Sequence, residues 1–395
     1  MTSAADRPLL IAMVAGEASG DNLGAPLVRE ILQQRPDARF LGIGGPAMIA
    51  EGFESLVEME RLSVNGIIDP LKRLPELIRI LRRVRDSVVA SGADCFVGID
   101  YNFFNLLLEG LLKKQGVRTV HYVSPTVWAW RKGRIKKIKR NVDLMMTLYP
   151  FENAIYEEQG IPVAFVGHPR ALDISATEGI DGRLSARSGL GIGEAETVVA
   201  ILPGSRSTEV RLTGRDFLET ALLLKGEVDR FLVPAANPKR AVQIREMLAD
   251  YPLLTDRVMV LDGQSREAMT AADAVLVNSG TATLEAMLLR KPMVMSYRLG
   301  SLTYSIVSRM IRAKRFALPN ILADRDLVPE FIQDEAVPAR MAEALRQQLV
   351  PAERQALMSS FDAIHQTLKK NDRPGVEAAH TVIEFCSGRL PHVPS

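Results

Sequence analysis

The chain has 395 residues, of which 47% are hydrophobic, and this is enough to form two or three packed domains. Its 49 lysines and arginines nearly balance 47 aspartates and glutamates, so the overall charge gives no reason to expect nucleic-acid binding. The cysteines, Cys95 and Cys386, match neither a disulfide framework nor a zinc motif. No apolar stretch approaches the roughly 18 residues of a membrane-spanning helix, which predicts a soluble or peripherally bound protein.

In the first half of the chain, apolar runs alternate with helical patterns, which is typical of buried parallel strands joined by helices. Glu17 follows the first run closely, so we interpret that run as a strand and not as a signal peptide. A helix is predicted over Leu23–Leu32. The predicted strands are Leu9–Ala15, Arg39–Ile43, Cys95–Ile99, Thr119–Val123, Leu144–Leu148 and Val163–Val166.

The polar segment Ser175–Glu196 has little hydrophobic pattern and is the predicted linker between two domains. Helices are then predicted over Phe217–Lys225 and Thr281–Leu289, and the charged tail after Pro338 is also helical. The predicted strands of this half are Val198–Leu202, Arg230–Val233, Val258–Leu261, Ala274–Val277 and Pro292–Met295. The pattern predicts an α/β protein with two doubly wound domains and a helical tail.

Polar side chains follow two strands of the first predicted domain, where ligands bind an open parallel sheet. Asp100 comes directly after Cys95–Ile99, where a carboxylate could act as general base for a hydroxyl group or simply cap the next helix. The turn after the first strand could approach a ligand closely or be only a tight connection, with Ser19 or Asp21 as the helix cap. This turn comprises Gly16, Glu17, Ala18, Ser19, Gly20 and Asp21.

Three polar features of the second half suit a bound diphosphate. Gly204, Ser205 and Arg206 follow a strand, and arginine makes bidentate contacts with phosphate, although a surface salt bridge would also explain Arg206. The segment Ser279–Thr283 opens a helix, whose free N–H groups and dipole favour an anion. Glu285 on that helix could bind both ribose hydroxyls or merely complement the helix dipole.

The sequence gives no motif for a nicotinamide cofactor, a P-loop or a catalytic metal. The first turn is not G-x-G-x-x-G, and the second strand is closed by Gly44 and Gly45 without an acidic residue. Neither a Walker lysine motif nor H-E-x-x-H is present, and no obvious carboxylate cluster suggests an essential metal. We therefore expect no cofactor, and we interpret His121 as a packed structural residue.

Two basic stretches could contact a membrane or nucleic acid. In Ile67–Val88, apolar residues at helical spacing alternate with arginines, which suits an anionic lipid surface or a helix packed on its own sheet. Pro70 and Pro75 predict an irregular segment. Arg131–Arg140 follows two tryptophans and could bind RNA or a phosphorylated lipid head group. The residues selected as a membrane contact are Ile67, Ile68, Leu71, Leu74, Ile78, Arg79 and Arg82.

Segments in order from Val14 to Glu335 resemble those of lipid-A-disaccharide synthases, which are inverting glycosyltransferases of the GT-B fold. The segments are VAGEASGDNLGA, GIDYNFFN, HYVSPTVWAWRKGRIKKIKR, FVGHP, ILPGSRSTEV, LDGQSREAM, SGTATLEAMLLRKPMVMSYR, LPNIL and VPEFIQDE. The resemblance implies two Rossmann-like domains that face a central cleft. Residues 1–170 would bind the acceptor lipid, with C-terminal helices 345–395 packing back onto them, and residues 171–344 would bind the UDP-sugar.

The resemblance also implies a reaction that joins UDP-2,3-diacylglucosamine to 2,3-diacylglucosamine 1-phosphate (lipid X). The products are the β-1′,6-linked disaccharide 1-phosphate of lipid A biosynthesis and UDP. Asp100 matches the proposed base for the acceptor 6-hydroxyl, and Glu17, Ser19, Gly20 and Asp21 match the loop that lines the cleft. The implied donor-binding residues are Gly204, Ser205, Arg206, Ser279, Gly280, Thr281, Glu285 and Asn320.

One motif departs from the family pattern. The family usually has GIDAPDFN, whereas residues 98–105 are GIDYNFFN, so that Phe103 replaces the second aspartate. Asp100 is thus the only carboxylate in the motif, which strengthens its assignment as base. The change also suggests an altered environment for the acceptor or its acyl chains.

The family resemblance further implies a cytoplasmic protein bound peripherally to the inner membrane, possible homodimers and no nucleic-acid partner. This favours the membrane interpretation of Ile67–Val88. One alternative is another GT-B enzyme, such as a UDP-N-acetylglucosamine epimerase, which needs only a water-soluble donor. Another is a non-catalytic RNA- or membrane-binding protein that uses Arg131–Arg140.

Overall fold

The structure is a computed structural model that describes residues 7–62, 70–127, 132–278, 280–300, 315–350 and 354–389. The chain forms two compact units. The first comprises Met1–Leu172 and Leu368–Ser395, and the second comprises Asp173–Thr367. Each unit contains a parallel sheet with helices around it, which confirms the predicted α/β class.

The first unit is built on a parallel sheet of seven strands. In chain order these are β1 (Leu10–Ala15), β2 (Arg39–Ile43), β3 (Glu54–Ser55), β4 (Cys95–Ile99), β5 (Thr119–Tyr122), β6 (Leu144–Thr147) and β7 (Val163–Phe165). Their order across the sheet is β3-β2-β1-β4-β5-β6-β7. The order reverses between β1 and β4, whose last residues, Ala15 and Ile99, are paired. Such a reversal separates the loops that follow the two strands and leaves room for a ligand.

Helices cover both faces of this sheet, which explains why its strands are continuous apolar runs. They are α1 (Ala18–Gln34), α2 (Pro46–Ala50), α3 (Pro70–Ser91), α4 (Asn102–Lys113), α5 (Lys132–Asn141), α6 (Phe151–Glu157) and α7 (Arg170–Asp173), with a 3₁₀ turn at Met59–Arg61. In β1, Ile11 and Met13 share a core with α1, whereas Ala12 and Val14 share the opposite core with α3 and α4.

The second unit contains a parallel sheet of six strands. They are β8 (Val198–Leu202), β9 (Arg230–Ala235), β10 (Val258–Asp262), β11 (Ala274–Asn278), β12 (Met293–Tyr297) and β13 (Glu330–Ile332). The order across the sheet is β10-β9-β8-β11-β12-β13. This order reverses between β8 and β11, where Leu202 pairs with Val277, so the second unit has its own switch point.

The remaining described helices follow Asp173 in the chain. They are α8 (Glu178–Asp181), α9 (Arg183–Gly189), α10 (Ser207–Leu223), α11 (Pro238–Leu248), α12 (Ser265–Ala271), α13 (Thr281–Leu288), α14 (Leu318–Ala323), α15 (Pro338–Leu349), α16 (Arg354–Lys369) and α17 (Val376–Cys386), with 3₁₀ turns at Pro252–Leu254 and Gln333–Glu335. The chain re-enters the first unit at Leu368, later than the expected residue 345, because α15 packs against α10 within the second unit.

The segment predicted as a linker is instead folded into the second unit. Its Arg187 side chain is 1% exposed and pairs with Asp273 at 2.8 Å. The same guanidinium donates hydrogen bonds to the carbonyls of Gly193, Glu194, Glu196 and Ala271. The linker prediction was wrong because a buried arginine, and not an apolar stripe, anchors this polar segment.

The strands predicted from apolar runs are confirmed, with small differences at their ends. β3 and β13 were missed because they contain only 2 and 3 residues. The predicted irregularity near Pro75 is not observed, since α3 is one helix from Pro70 to Ser91. Among the described helices, none combines the length and the apolar character that a membrane span requires.

Candidate active site

The loop after β4 holds Asp100 in an uncommon backbone conformation. Both Asp100 and Tyr101 have positive φ, at 49° and 43°. The Asp100 N–H donates to the carbonyl of Tyr122 at 2.8 Å, and Nδ2 of Asn105 donates to the Asp100 carbonyl at 2.9 Å. Non-glycine residues in this region cost about 1–3 kcal/mol each, so they persist where neighbouring contacts fix them, commonly at functional sites.

Asp100 is half-buried, and each oxygen of its carboxylate has one hydrogen-bond donor. Its Oδ2 accepts a hydrogen bond from the Ser19 hydroxyl at 3.3 Å, and its Oδ1 accepts one from Nδ2 of Asn102 at 3.4 Å. Tyr101 is the N-cap residue of α4, and no side-chain cap bond forms there. The structure therefore does not support the alternative in which Asp100 is only a helix cap.

Tyr101 explains why the first turn begins with a glycine. A Cβ atom on Gly16 would lie 2.3 Å from Cδ1 of the Tyr101 ring, so any other residue would displace the ring. The Tyr101 hydroxyl donates to the carbonyl of Leu62 at 2.6 Å. The turn after β1 and the loop after β4 thus fit together only because position 16 lacks a side chain.

The predicted residues of the first turn have different environments. Glu17 and Ser19 are exposed, while Gly20 and Asp21 are buried. The Asp21 carboxylate accepts hydrogen bonds from the backbone N–H groups of Gly45 (2.9 Å), Ala47 (2.9 Å) and Met48 (3.0 Å). Asp21, on α1, therefore caps the start of α2. Its carboxylate joins α1 to α2 and is not turned toward a ligand.

At the second switch point, the loop after β8 is tied to the end of β11. Gly204 has a φ of +118°, and a Cβ atom there would lie 2.5 Å from Cβ of Glu209 and 2.9 Å from Nδ2 of Asn278. The same Nδ2 donates to the carbonyl of Pro203 at 3.2 Å. Asn278 was not predicted as a site residue. The one feature of the sequence that could have indicated it is its position at the end of the strand β11.

Arg206 projects from the start of α10. The backbone N–H groups of Ser205 and Arg206 both donate to Oε2 of Glu209 at 3.0 Å. The Arg206 side chain is 80% exposed, and its Nη1 lies 3.4 Å from Oε1 of Glu209. The surface salt bridge between Arg206 and Glu209 that was considered as an alternative is therefore observed. Such an exposed ion pair is weak, so a phosphate group could replace Glu209 as the partner of Arg206.

α13 begins just after β11, which is the neighbour of β8 in the sheet. The backbone at the start of α13 therefore lies near the loop after β8. Gly280 has a φ of +130°, and both Gly280 and Thr281 are exposed. The Thr283 hydroxyl donates to the Gly280 carbonyl at 2.8 Å and thereby closes the turn. Glu285 is half-buried one turn after Thr281. Ser279 lies outside the described residues.

Asn320 is a structural residue of the second unit. It is 1% exposed, and its Oδ1 accepts hydrogen bonds from the N–H groups of Leu327 (2.7 Å) and Val328 (2.9 Å). Its Nδ2 donates to the Val328 carbonyl (2.8 Å) and to Oε1 of Glu330 (2.7 Å). These bonds use both acceptor and both donor positions of an amide, so the side chain has none left for the predicted donor contact.

The selected membrane residues are only partly described. Ile67 and Ile68 lie outside the described residues, as does the side chain of Leu71. Leu74 and Ile78 are 43% and 39% exposed, and Arg79 and Arg82 are also exposed. The later part of α3 packs on the sheet, as the alternative interpretation expected, through Ile80, Leu81, Val84 and Val88.

The replacement of the usual aspartate by Phe103 leaves a phenyl ring that is 75% exposed on α4, with Leu107 on the same helix 41% exposed. The Lys137 ammonium lies 5.9 Å from the centre of the Phe103 ring. Trp128, Trp130 and Arg131 lie outside the described residues. Within the described residues, no group of three or more His, Cys, Asp and Glu side chains could hold a metal ion.

Comparison with solved structures identifies the fold. A UDP-N-acetylglucosamine 2-epimerase from Neisseria meningitidis, crystallised with UDP-N-acetylglucosamine, matches with a TM-score of 0.61 at 13% identity, covering 96% of this chain and 100% of that one. MurG from Acinetobacter baumannii matches with a TM-score of 0.55 at 14% identity, covering 96% and 99%. Together with the two Rossmann-like units, these likenesses confirm the GT-B fold.

Sequence comparison identifies the family. The family model for lipid-A-disaccharide synthetase matches residues 11–383. A lipid-A-disaccharide synthase from Hahella chejuensis is 47% identical over 387 residues, which cover 98% of this chain and 96% of that protein. One from Pseudomonas savastanoi pv. phaseolicola is 48% identical over 369 residues, covering 92% and 94%. The chain belongs to the lipid-A-disaccharide synthase family.

Proposed function

We propose that the first unit binds the acceptor and supplies the base, while the second unit binds the nucleotide of the donor. The donor is UDP-2,3-diacylglucosamine and the acceptor is 2,3-diacylglucosamine 1-phosphate (lipid X). The products are the β-1′,6-linked disaccharide 1-phosphate and UDP. The observation that carries this proposal is the Asp100 carboxylate, held at a switch point by a fixed backbone and free of a capping role.

In the proposed reaction, Asp100 takes the proton from the acceptor 6-hydroxyl as the hydroxyl oxygen attacks C1 of the donor sugar. The bond from C1 to the UDP oxygen breaks in the same displacement, and the configuration at C1 is inverted. Oδ2 of Asp100, beside the exposed Ser19 hydroxyl, is the oxygen that receives the proton.

Negative charge builds up on the diphosphate as UDP leaves. Arg206 and the N–H groups at the start of α13, at Gly280 and Thr281, stabilise this charge. Glu285 binds the ribose hydroxyls, and Asn320 acts indirectly by holding the loop beside α13, where the Leu318 N–H donates to the Thr283 hydroxyl at 3.2 Å. Because these groups neutralise the leaving group, we expect no requirement for a metal.

The test is to incubate the purified protein with both lipid substrates in EDTA and to measure disaccharide 1-phosphate and UDP by mass spectrometry. Product formed at the same rate with and without Mg²⁺ is the expected result. A requirement for the metal would contradict the proposed neutralisation of charge. In a parallel reaction, UDP-N-acetylglucosamine alone should remain unchanged, and its epimerisation would favour the alternative enzyme. Membership of an enzyme family argues against the non-catalytic alternative.

We also propose peripheral contact with the cytoplasmic face of the inner membrane through α3 and α4, which pack against each other. These helices expose the apolar side chains Leu74, Ile78, Phe103 and Leu107 together with Arg79 and Arg82. Apolar groups inserted among head groups, with cations near anionic lipids, are the combination that binds membrane surfaces. The implied homodimer stays a prediction, which sedimentation of the purified protein would test.

Sedimentation with vesicles tests the membrane contact. We expect binding to vesicles that contain phosphatidylglycerol and weaker binding to phosphatidylcholine alone, with a loss as salt rises. Replacing Leu74 and Phe103 together with Ser should abolish binding. The matched control is Leu253→Ser, because Leu253 is 64% exposed but lies in the second unit. Equal binding by the double variant and the parent would exclude this surface.

A further inference from the structure

Three polar side chains behind the active-site loop connect Asp100 to the interior of the first unit. Nδ1 of His121 on β5 lies 2.7 Å from Oε1 of Glu109 on α4. Nε2 of the same ring lies 3.1 Å from Oδ1 of Asn102, the first residue of α4. Nδ2 of Asn102 then donates to Oδ1 of Asp100 at 3.4 Å. His121 is buried, as expected for a packed structural residue, and both of its ring nitrogens have polar partners.

Packing alone does not account for this arrangement. The side chains of His121 and Glu109 are both 0% exposed, and a buried polar pair costs free energy that an apolar pair of the same size would not. The sheet leaves space for the carboxyl group, since a Cβ atom on Gly98 would lie 2.3 Å from Oε1 of Glu109. Gly98 is paired with His121 on the neighbouring strand, so the gap lies directly beside the ring.

The orientation of the Asn102 amide fixes the direction of its hydrogen bond with His121. Because Asn102 donates to Asp100 through Nδ2, its Oδ1 faces the ring, and an amide oxygen can only accept. Nε2 of His121 is therefore the donor to Asn102, and Nδ1 is the ring nitrogen that faces Oε1 of Glu109.

The surroundings of the Glu109 carboxyl group disfavour its charged form. Burial raises the pKa of Glu109, and Asp143 adds to this, while His121 and Lys137 oppose the shift. Oε2 of Glu109 has no hydrogen-bond partner among the described residues, which would be costly for a carboxylate. The buried carboxyl group and the ring can thus orient Asn102, which lies between them and Asp100.

We propose that Glu109, His121 and Asn102 are positioning residues for the carboxylate of Asp100. Glu109 fixes the imidazole ring, the ring fixes the amide of Asn102, and the amide occupies Oδ1 of Asp100. Oδ2 is then the oxygen left to receive the acceptor proton. This inference deepens the proposed function and rests on the role of Asp100 as base. None of the three residues needs to touch a substrate.

The test compares Asn102→Ala, Glu109→Gln and the double variant in the disaccharide assay. Each single change should lower kcat by about 10- to 100-fold, because a misplaced catalytic group has effects of this size, with KM for the donor unchanged. The double variant should lose no more than the worse single variant, because residues that act as one unit are not additive. Additive losses, or an unchanged kcat for Asn102→Ala, would overturn the proposal.

Thr119→Val is the matched control. Thr119 is also 0% exposed on β5, and its hydroxyl lies 2.9 Å from the Asn141 carbonyl and 3.1 Å from Oδ2 of Asp143, without a hydrogen bond to Asp100, Asn102, Glu109 or His121. This variant should lower the melting temperature and leave kcat unchanged. If it lowered kcat as much as Asn102→Ala does, destabilisation of the sheet would explain the effect and the proposal would be wrong. Asn102 is half-buried, so Asn102→Ala keeps the test possible if Glu109→Gln fails to fold. Turnover retained by Asp100→Asn would instead refute the base itself.

Discussion

Replacing Asp100 with Asn should remove turnover and leave UDP binding unchanged. The amide cannot take the proton from the acceptor hydroxyl, and loss of general base catalysis lowers kcat by about 10²- to 10⁴-fold. Asn is a better test than Ala because it keeps the shape of the side chain and tolerates the φ of 49° found at this position. The measurements are kcat for disaccharide formation, the Kd for UDP by calorimetry and the melting temperature.

A normal melting temperature and an unchanged Kd for UDP would show that the Asp100→Asn protein is folded and that its second unit is intact. Ser19→Ala serves as a graded comparison, since it removes only the hydroxyl that donates to Asp100 at 3.3 Å. We expect it to lose about tenfold at most, because Ser19 is exposed and water can replace its hydroxyl as donor, whereas Asn102 is half-buried. If Asp100→Asn kept turnover close to that of Ser19→Ala, the assignment of Asp100 as base would be wrong.

Arg206→Ala should impair both donor binding and catalysis. The guanidinium is 80% exposed, so its removal should not destabilise the protein. It should weaken UDP binding by about 10- to 100-fold, the usual effect of a charged hydrogen bond, and lower kcat by about 10²-fold or more, since the charge of the leaving group grows in the transition state. Calorimetry with UDP and steady-state kinetics measure the two effects separately.

Arg206→Lys and Arg211→Ala are the matched variants for this site. Lysine keeps the charge but loses bidentate geometry, so Arg206→Lys should recover part of the affinity and less of the rate. Arg211 is an exposed arginine on the same helix, α10, and its replacement should change neither quantity. An unchanged Kd for UDP in Arg206→Ala would exclude the phosphate contact, whatever happened to kcat.

The features that could be predicted from sequence are those encoded by neighbouring residues. Buried parallel strands are continuous apolar runs, so Cys95–Ile99 and Ala274–Asn278 could be recognised directly. The positions of the loops after these strands could then be predicted as well. Glycines with positive φ, Gly204 after β8 and Gly280 after β11, mark the two loops of the second switch point. The locations of both candidate sites could therefore be predicted from the sequence once an open parallel sheet was assumed.

The roles of individual polar residues could not be predicted because their partners are distant in sequence. Asp21 caps a helix that begins at Pro46, and Asn278 holds the Pro203 carbonyl of another strand's loop. The residues that bond Asn320 lie nearer, but its complete set of bonds depends on how the loop before β13 is folded. A sequence motif locates such residues, but it does not distinguish a residue that contacts a ligand from one that stabilises the neighbouring loops.

The first unit is made from two separate stretches, Met1–Leu172 and Leu368–Ser395, which leave the ribosome at different times. The last helix, α17, places Val382 and Phe385 in the same core as Leu27 and Ile31 of α1. The second unit is continuous from Asp173 to Thr367, so all its residues are available before α17 emerges. Part of the apolar face of α1 therefore stays uncovered until α17 has left the ribosome, and such transiently exposed apolar surface is prone to aggregation.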